Sequence, residues 1–299
     1  MNKIGMLIIV VLLTITGLLA WKLYEKPKST LSRPSQAVYP LSLIDTLASA
    51  ELNEKRVINI YLPQGYTEET RERYPVIYVL DGGVEEDFIH IVGLVRYNNQ
   101  PWIDRFPKSI VVGIENTNRR RDFSFAVENL DFVERMGFKK EQFAQYGGSA
   151  QYIAFLEKEL QPFIDKKYRT NNTRTVIGES FAGLLATEIL LKHRHLFDNY
   201  IIMSPSLWWG NELLLKEAPA LLEKETAQDL KVYVGACQKE EDAIMYDDAV
   251  ALSSLLKSKG GNKLKVYFDY LPGEVHATMM HQGTYNAFKL MYPETASLK

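Results

Sequence analysis

The stretch TVIGESFAGLLATEILLKHR, Thr175 to Arg194, decides the fold. It opens as an apolar, β-branched run and then meets Gly178, Glu179, Ser180, Phe181, Ala182 and Gly183. A helical pattern follows at once. A buried strand turning sharply into a helix is the setting that presents a serine as a nucleophile. The pattern is G-x-S-x-A, one methyl away from G-x-S-x-G. Small residues are needed two positions before and after the serine, because larger side chains there would collide with the neighbouring strand and helix. Gly183 supplies a close helix approach one residue later. The competing reading makes Ser180 a plain N-cap whose hydroxyl accepts a backbone N–H. That reading explains the serine but leaves Gly178 without a reason.

The flanking sequence has the alternation that such a turn requires. Strands are expected over residues 56–63, 74–83, 109–116, 173–180, 199–206, 230–237 and 264–273, several of them continuous apolar runs suited to burial on both faces. Helical periodicity runs through AQYIAFLEKELQPFIDKKY, with Ile153, Leu156, Leu160 and Ile164 on one face. It recurs after Ser180, in EDAIMYDDAVALSSLLKSKGG and in QGTYNAFKLMY. Alternating strands and helices imply an α/β protein with a mostly parallel central sheet and helices on both faces.

The N-terminus differs from the body. Residues 4–19, IGMLIIVVLLTITGLL, are uncharged and almost wholly apolar, behind a short positive start. Residues 1–24 therefore read as a signal peptide or membrane anchor. Trp21 and Tyr24 beside Lys22 and Lys26 resemble an interfacial belt, which favours an uncleaved anchor. Residues 25–37 are polar, contain two prolines and read as a linker. One folded domain, 38–299, should follow, exported from the cytoplasm. The net charge of -2 gives no electrostatic case for nucleic acid. One cysteine, Cys237, rules out an intramolecular disulfide and any C-x-x-C pair.

A serine nucleophile needs a base placed later in the chain. Of five histidines, His193 and His195 end the helix that Ser180 begins and cannot return to it. His90 precedes the serine, and His281 should open the last helix. His276, in YLPGEVHATMMH just beyond the last strand, fits the order. The acid is expected after KVYVGAC, where Glu240, Glu241 and Asp242 are all candidates; Glu240 is the first choice. All three also suit a helix N-terminus. Two N–H donors must hold the oxyanion. Phe181 offers one, and Gly83 of VLDGG the other. Asp81 reads as a residue that bonds its own loop.

These residues together resemble the putative-esterase branch of the α/β-hydrolase superfamily, which includes esterase D-like and siderophore trilactone esterases. The matching pieces are INIYLPQGY, YPVIYVLDGG, IVVGIENTNRRRDFSF, FLEKELQPFIDKKYRT, VIGESFAGLLATEILLKHRHLFDNYIIMSPSLWW and LPGEVHATMM. The resemblance implies an α/β-hydrolase fold and a serine carboxylesterase acting on a small-molecule ester. It implies neither cofactor nor metal. It places the nucleophile on Ser180, the base on His276 and the second oxyanion amide on Gly83. GACQKEED is longer than the turn expected for the acid, so the acid stays open. NRRRDF resembles a stretch near the site entrance, where Arg119 or Arg121 would meet an anionic or catecholate group, or else form structural pairs. Trp208 would line an acyl or aryl pocket or pack a lid. Tyr97 and Trp102 are expected in an irregular stretch after the oxyanion loop, where they would contribute to the site.

Overall fold

The computed structural model describes residues 41–67, 69, 71–223 and 228–293. The N-terminal segment 1–24, the linker 25–37 and the expected domain start at 38 lie outside the described residues. The described chain folds around one eight-stranded sheet. Its strands are β1 (Leu43–Ser49), β2 (Glu54–Tyr61), β3 (Tyr74–Val79), β4 (Ile110–Ile114), β5 (Thr170–Glu179), β6 (Asn199–Met203), β7 (Leu230–Cys237) and β8 (Leu264–Leu271). The order is β1-β2-β4-β3-β5-β6-β7-β8. Pairing is antiparallel between β1 and β2 and between β2 and β4, and parallel from β4 onward.

Seven strands match the sequence expectation; β1 was not foreseen. It is an edge strand whose side chains are mostly exposed, with Leu43 and Ile44 facing solvent. Its inward positions, Asp45, Leu47 and Ser49, include a single apolar residue, so no apolar rhythm marks it. The central strands β3, β4, β6 and β7 are buried almost throughout, because helices cover both sheet faces.

On one face lie α1 (Phe88–Asn98) and the C-terminal α8 (Met279–Met291), sharing a core with Ile77, Val79, Ile201 and Tyr233. Tyr97 therefore sits in a helix, which corrects the irregular stretch expected there. Phe88, Ile91, Val92 and Val95 are its buried stripe. The opposite face carries the short α2 (Arg119–Phe123), then α3 (Ser149–Phe155) and α4 (Gln161–Lys167). It also carries α5 (Phe181–Lys192), α6 (Leu213–Leu222) and α7 (Ala243–Lys259). The single helix expected across α3 and α4 is interrupted by a π-turn, Leu156–Leu160. Pro162 follows it at the start of α4. A proline ring crowds the carbonyl four residues earlier, and the wider turn relieves that.

Strand order places the site. β3 and β5 are neighbours, yet the helix after β3 packs on one face and the helix after β5 on the other. Their loops diverge at the C-terminal ends of the strands and leave a crevice, where open α/β sheets bind ligands.

One buried ion cluster fixes α2, which carries the arginines. The Arg56 guanidinium is fully buried and binds Asp122, which is 1% exposed. Arg56 also reaches Glu54 at 2.5 Å. Arg121 closes the cluster, with Nε on Asp122 at 2.7 Å and Nη2 on Glu54 at 2.7 Å. Removing one partner strands a buried charge, at a cost of ~3–5 kcal/mol. Asp122→Ala is therefore expected to destabilise the fold by about that amount in urea unfolding, and a loss under about 1 kcal/mol would contradict a dry pair.

Candidate active site

Ser180 sits between β5 and α5 with φ 59° and ψ −118°. A non-glycine residue in that region is strained, by about 1–3 kcal/mol. Its backbone is held on three sides. Its N–H donates to Met203 O at 3.0 Å, and its carbonyl accepts from the N–H groups of Leu184 (2.9 Å) and Ser206 (3.0 Å). Ser180 Oγ makes no capping bond to α5, so the plain N-cap reading does not describe it. Oγ lies 3.2 Å from Ser206 Oγ.

The small residues have measurable reasons. A Cβ on Gly178 would lie 2.5 Å from the carbonyl oxygen of Ala182. A Cβ on Gly183 would lie 3.0 Å from Pro205 Cα, where α5 passes the loop after β6. Ala182 itself is fully buried, with its methyl absorbed in the core. The crowding thus falls on 178 and 183, not on 182.

The second expected oxyanion residue, Gly83, follows β3 at the opposite lip. Gly82 passes so close to β4 that a Cβ there would lie 2.2 Å from Ile114 N. Gly83 is buried, and its N–H donates to Glu86 Oε2 at 2.7 Å. Phe181 opens α5, so its N–H has no partner within the helix.

Arg119 joins the two lips. Its Nε and Nη2 bind Asp81 Oδ1 and Oδ2 at 2.7 and 2.8 Å, and Nη2 also donates to Glu179 O at 3.0 Å. Asn116 Nδ2 donates to Asp81 Oδ1 and to Glu86 Oε1, each at 2.7 Å. Both arginines expected to await an anionic ligand are thus already paired, Arg119 with Asp81 and Arg121 within the buried cluster. Trp208 is 4% exposed and stacks on Phe138 at 5.6 Å, with Phe181 edge-on at 5.6 Å. It packs beneath the Ser180 turn.

His276 follows β8, and its Nδ1 is buried without a partner. Its backbone N–H donates to the Glu241 carboxylate. Burial pushes its pKa below the ordinary value near 6.5, while Glu241 and Asp242 pull the other way. Asp242 caps α7, accepting from Met245 N–H at 3.0 Å. Glu240 makes no hydrogen bond or ion pair with His276 among the described residues, whereas Glu241 does bond it. The carboxylate brought to His276 is therefore Glu241, one residue beyond the first choice. No hydrogen bond joins Ser180 and His276 among the described residues; such bonds often tighten only with substrate bound. His90 and His281 bond each other across α1 and α8.

Sequence reasoning gave no role to Ser206, Asn116, Glu86 or Glu179. Glu179 is largely buried, and burial, with Asp87 and Asp81 close by, raises its carboxyl to about 8. Asp87 rises to about 6, from burial and then Asp81. Ser206 had a visible signal in SPSLWW, adjacent to the tryptophans; the others depend on loops meeting in space. The glycine argument yields a direct test. A Cβ at 178 would meet backbone, so Gly178→Ala is expected to cost ~1–3 kcal/mol or more by overpacking, and Ala182→Gly about 1–2 kcal/mol by lost helix propensity and one buried methyl. Urea unfolding of both variants measures this, and the reverse ranking would refute crowding at 178.

With this geometry, comparison with known proteins is informative. A family model described as "Putative esterase" matches residues 49–290. The ferri-bacillibactin esterase BesA of Bacillus subtilis is 26% identical over 244 residues, covering 76% of this chain and 82% of BesA. An IroE-like serine hydrolase from Shewanella oneidensis superposes with TM-score 0.77 at 30% identity, covering 84% of this chain and 80% of the other. The BES protein of Bacillus cereus gives 0.75 at 25% identity, over 87% and 99%. The chain belongs to the putative esterase family and is an ester hydrolase of the α/β-hydrolase superfamily.

Proposed function

We infer that this protein is a serine esterase in which Ser180 attacks the ester carbonyl and His276 accepts its proton. The observation that carries this reading is the strained Ser180 turn at the crevice between β3 and β5, with its hydroxyl free of any cap. The N–H groups of Phe181 and Gly83 hold the oxyanion. His276 then returns the proton to the leaving alkoxide, and water resolves the acyl-enzyme. Glu241 is the acid of this reading. Its carboxylate already accepts from the His276 backbone N–H, and the buried Nδ1 of the same residue has no partner among the described residues. Arg119 holds the two lips in register rather than binding substrate.

The substrate class is a siderophore-type ester, by kinship with the ferri-bacillibactin esterase. The body works outside the cytoplasm, tethered or delivered by residues 1–24; the apolar run at 4–19 supports this. Among the described residues no helix is long and apolar enough to cross a membrane.

Assay of the wild type and Ser180→Ala on an ester panel that includes siderophore trilactones tests the reading. Ser180→Ala should lose about 10⁴- to 10⁶-fold in kcat and all fluorophosphonate labelling. Retained turnover would sink the serine assignment.

The base predicts a pH profile. His276 works only unprotonated, and burial lowers its pKa, so kcat/KM should reach half its plateau below pH 6.5. Glu241 is the larger of the two carboxylate influences raising that pKa. Glu241→Gln should therefore move the acid limb to still lower pH and lower the plateau, while Glu240→Gln leaves both in place. A limb that follows Glu240 instead would return the acid role to that residue.

A further inference from the structure

The Gly83 amide is not free. Its N–H donates to Glu86 Oε2 at 2.7 Å, and Glu86 Oε1 accepts from Asn116 Nδ2 at 2.7 Å. Glu86 N–H donates in turn to Gly83 O at 3.0 Å, so the side chain folds back over its own turn. The carboxylate lies so close over the loop that a Cβ on Gly83 would meet Oε2 at 2.7 Å. A buried N–H needs a partner when no substrate is present. Here that partner is anionic, as an oxyanion would be. Gly83 is buried, whereas Glu86 opens to solvent. The carboxylate can therefore leave for water without disturbing the core.

We propose that Glu86 is a positioning residue that occupies the Gly83 amide in the resting enzyme and is displaced by the substrate carbonyl before attack. This rests on the serine esterase reading above. The carboxylate acts through Gly83 and touches no reacting atom. It sets a threshold that weakly binding esters must overcome. Asn116 holds the other oxygen and so helps to set that threshold. Asn116 also bonds Asp81, which links the occupant to the Arg119 clamp.

A residue that merely closes the turn and an occupant of the amide predict opposite signs. The full chain is compared with Glu86→Gln and Glu86→Ala. kcat/KM is measured on p-nitrophenyl butyrate, and the second-order labelling rate with a fluorophosphonate. Both reactions need the same two amides. Losing the charge-assisted bond should raise both rates by about five- to tenfold, with Glu86→Gln between wild type and Glu86→Ala. Rates that stay level or fall in Glu86→Gln overturn the proposal. So does a Glu86→Gln protein that fails to fold, because the carboxylate would then be holding the loop. If only Glu86→Ala fails to fold, Glu86→Gln decides. Ser180→Ala separates the two levels: labelling that survives it sinks the serine reading itself. Labelling abolished by it, but not accelerated in the Glu86 variants, sinks only the role of Glu86.

Discussion

The guanidinium of Arg119 is the interaction on which the site depends. It ties together two loops that leave adjacent strands toward opposite faces of the sheet, and nothing in the sheet itself fixes their separation. Its two bonds to Asp81 hold the lip after β3, and its bond to Glu179 O holds the residue before Ser180. Lysine offers a point charge, whereas this task needs a planar fork with donors in several directions. Glu179 feels Asp87, Asp81 and Glu241 as like charges, and Arg119 is the opposing one. Without that cation the crevice would hold crowded carboxylates and no counter-charge. The arginine is itself positioned from below by α2, which the buried Arg56–Asp122 pair locks to the sheet.

A second constraint is the strain at Ser180, which persists only because its surroundings over-determine it. Three backbone bonds hold the residue, two of them on its carbonyl. Beneath it, Phe181 packs edge-on against Trp208 and Trp209, each at 5.6 Å, and Trp209 Nε1 donates to Phe125 O at 2.9 Å. This aromatic layer buries large apolar area and has a satisfied polar edge, so it resists the relaxation that would flatten the turn. The tryptophans thus contribute to the site as a floor, not as a wall.

The parts legible in the sequence were those written in local periodicity. The Ser180 turn, the buried strands and the later helices all imprint their burial on consecutive residues. β1 escaped because an edge strand with exposed Leu43 and Ile44 has no apolar rhythm to show. The helix at Phe88–Asn98 carries an i, i+3, i+4, i+7 stripe of Phe88, Ile91, Val92 and Val95, yet the stretch around Tyr97 reads as irregular because the residues flanking it are polar. Partnerships were less legible. Arg119 and Arg121 look alike as neighbours in NRRRDF, yet one clamps the crevice and the other completes a buried cluster, because a helix points them apart. Glu240 and Glu241 differ by one position, and only the path of the chain after β7 brings the second to His276. Glu179 had no derivable role, since its environment is built from loops 60 or more residues away in sequence.

Burial shapes the chemistry of the crevice in two opposite ways. It lowers the pKa of His276, which keeps the imidazole unprotonated and able to accept a proton. It raises Glu179 to about 8, which keeps that carboxyl protonated at neutral pH. The groups that favour charge are placed where charge is to form. In the proposed mechanism Glu241 and Asp242, which both raise the His276 pKa, would stabilise an imidazolium there, and the Phe181 and Gly83 N–H groups would hold the oxyanion. In that mechanism the resting negative charge at the Gly83 amide is the Glu86 carboxylate, and the amide turns to the oxyanion as the transition state separates charge.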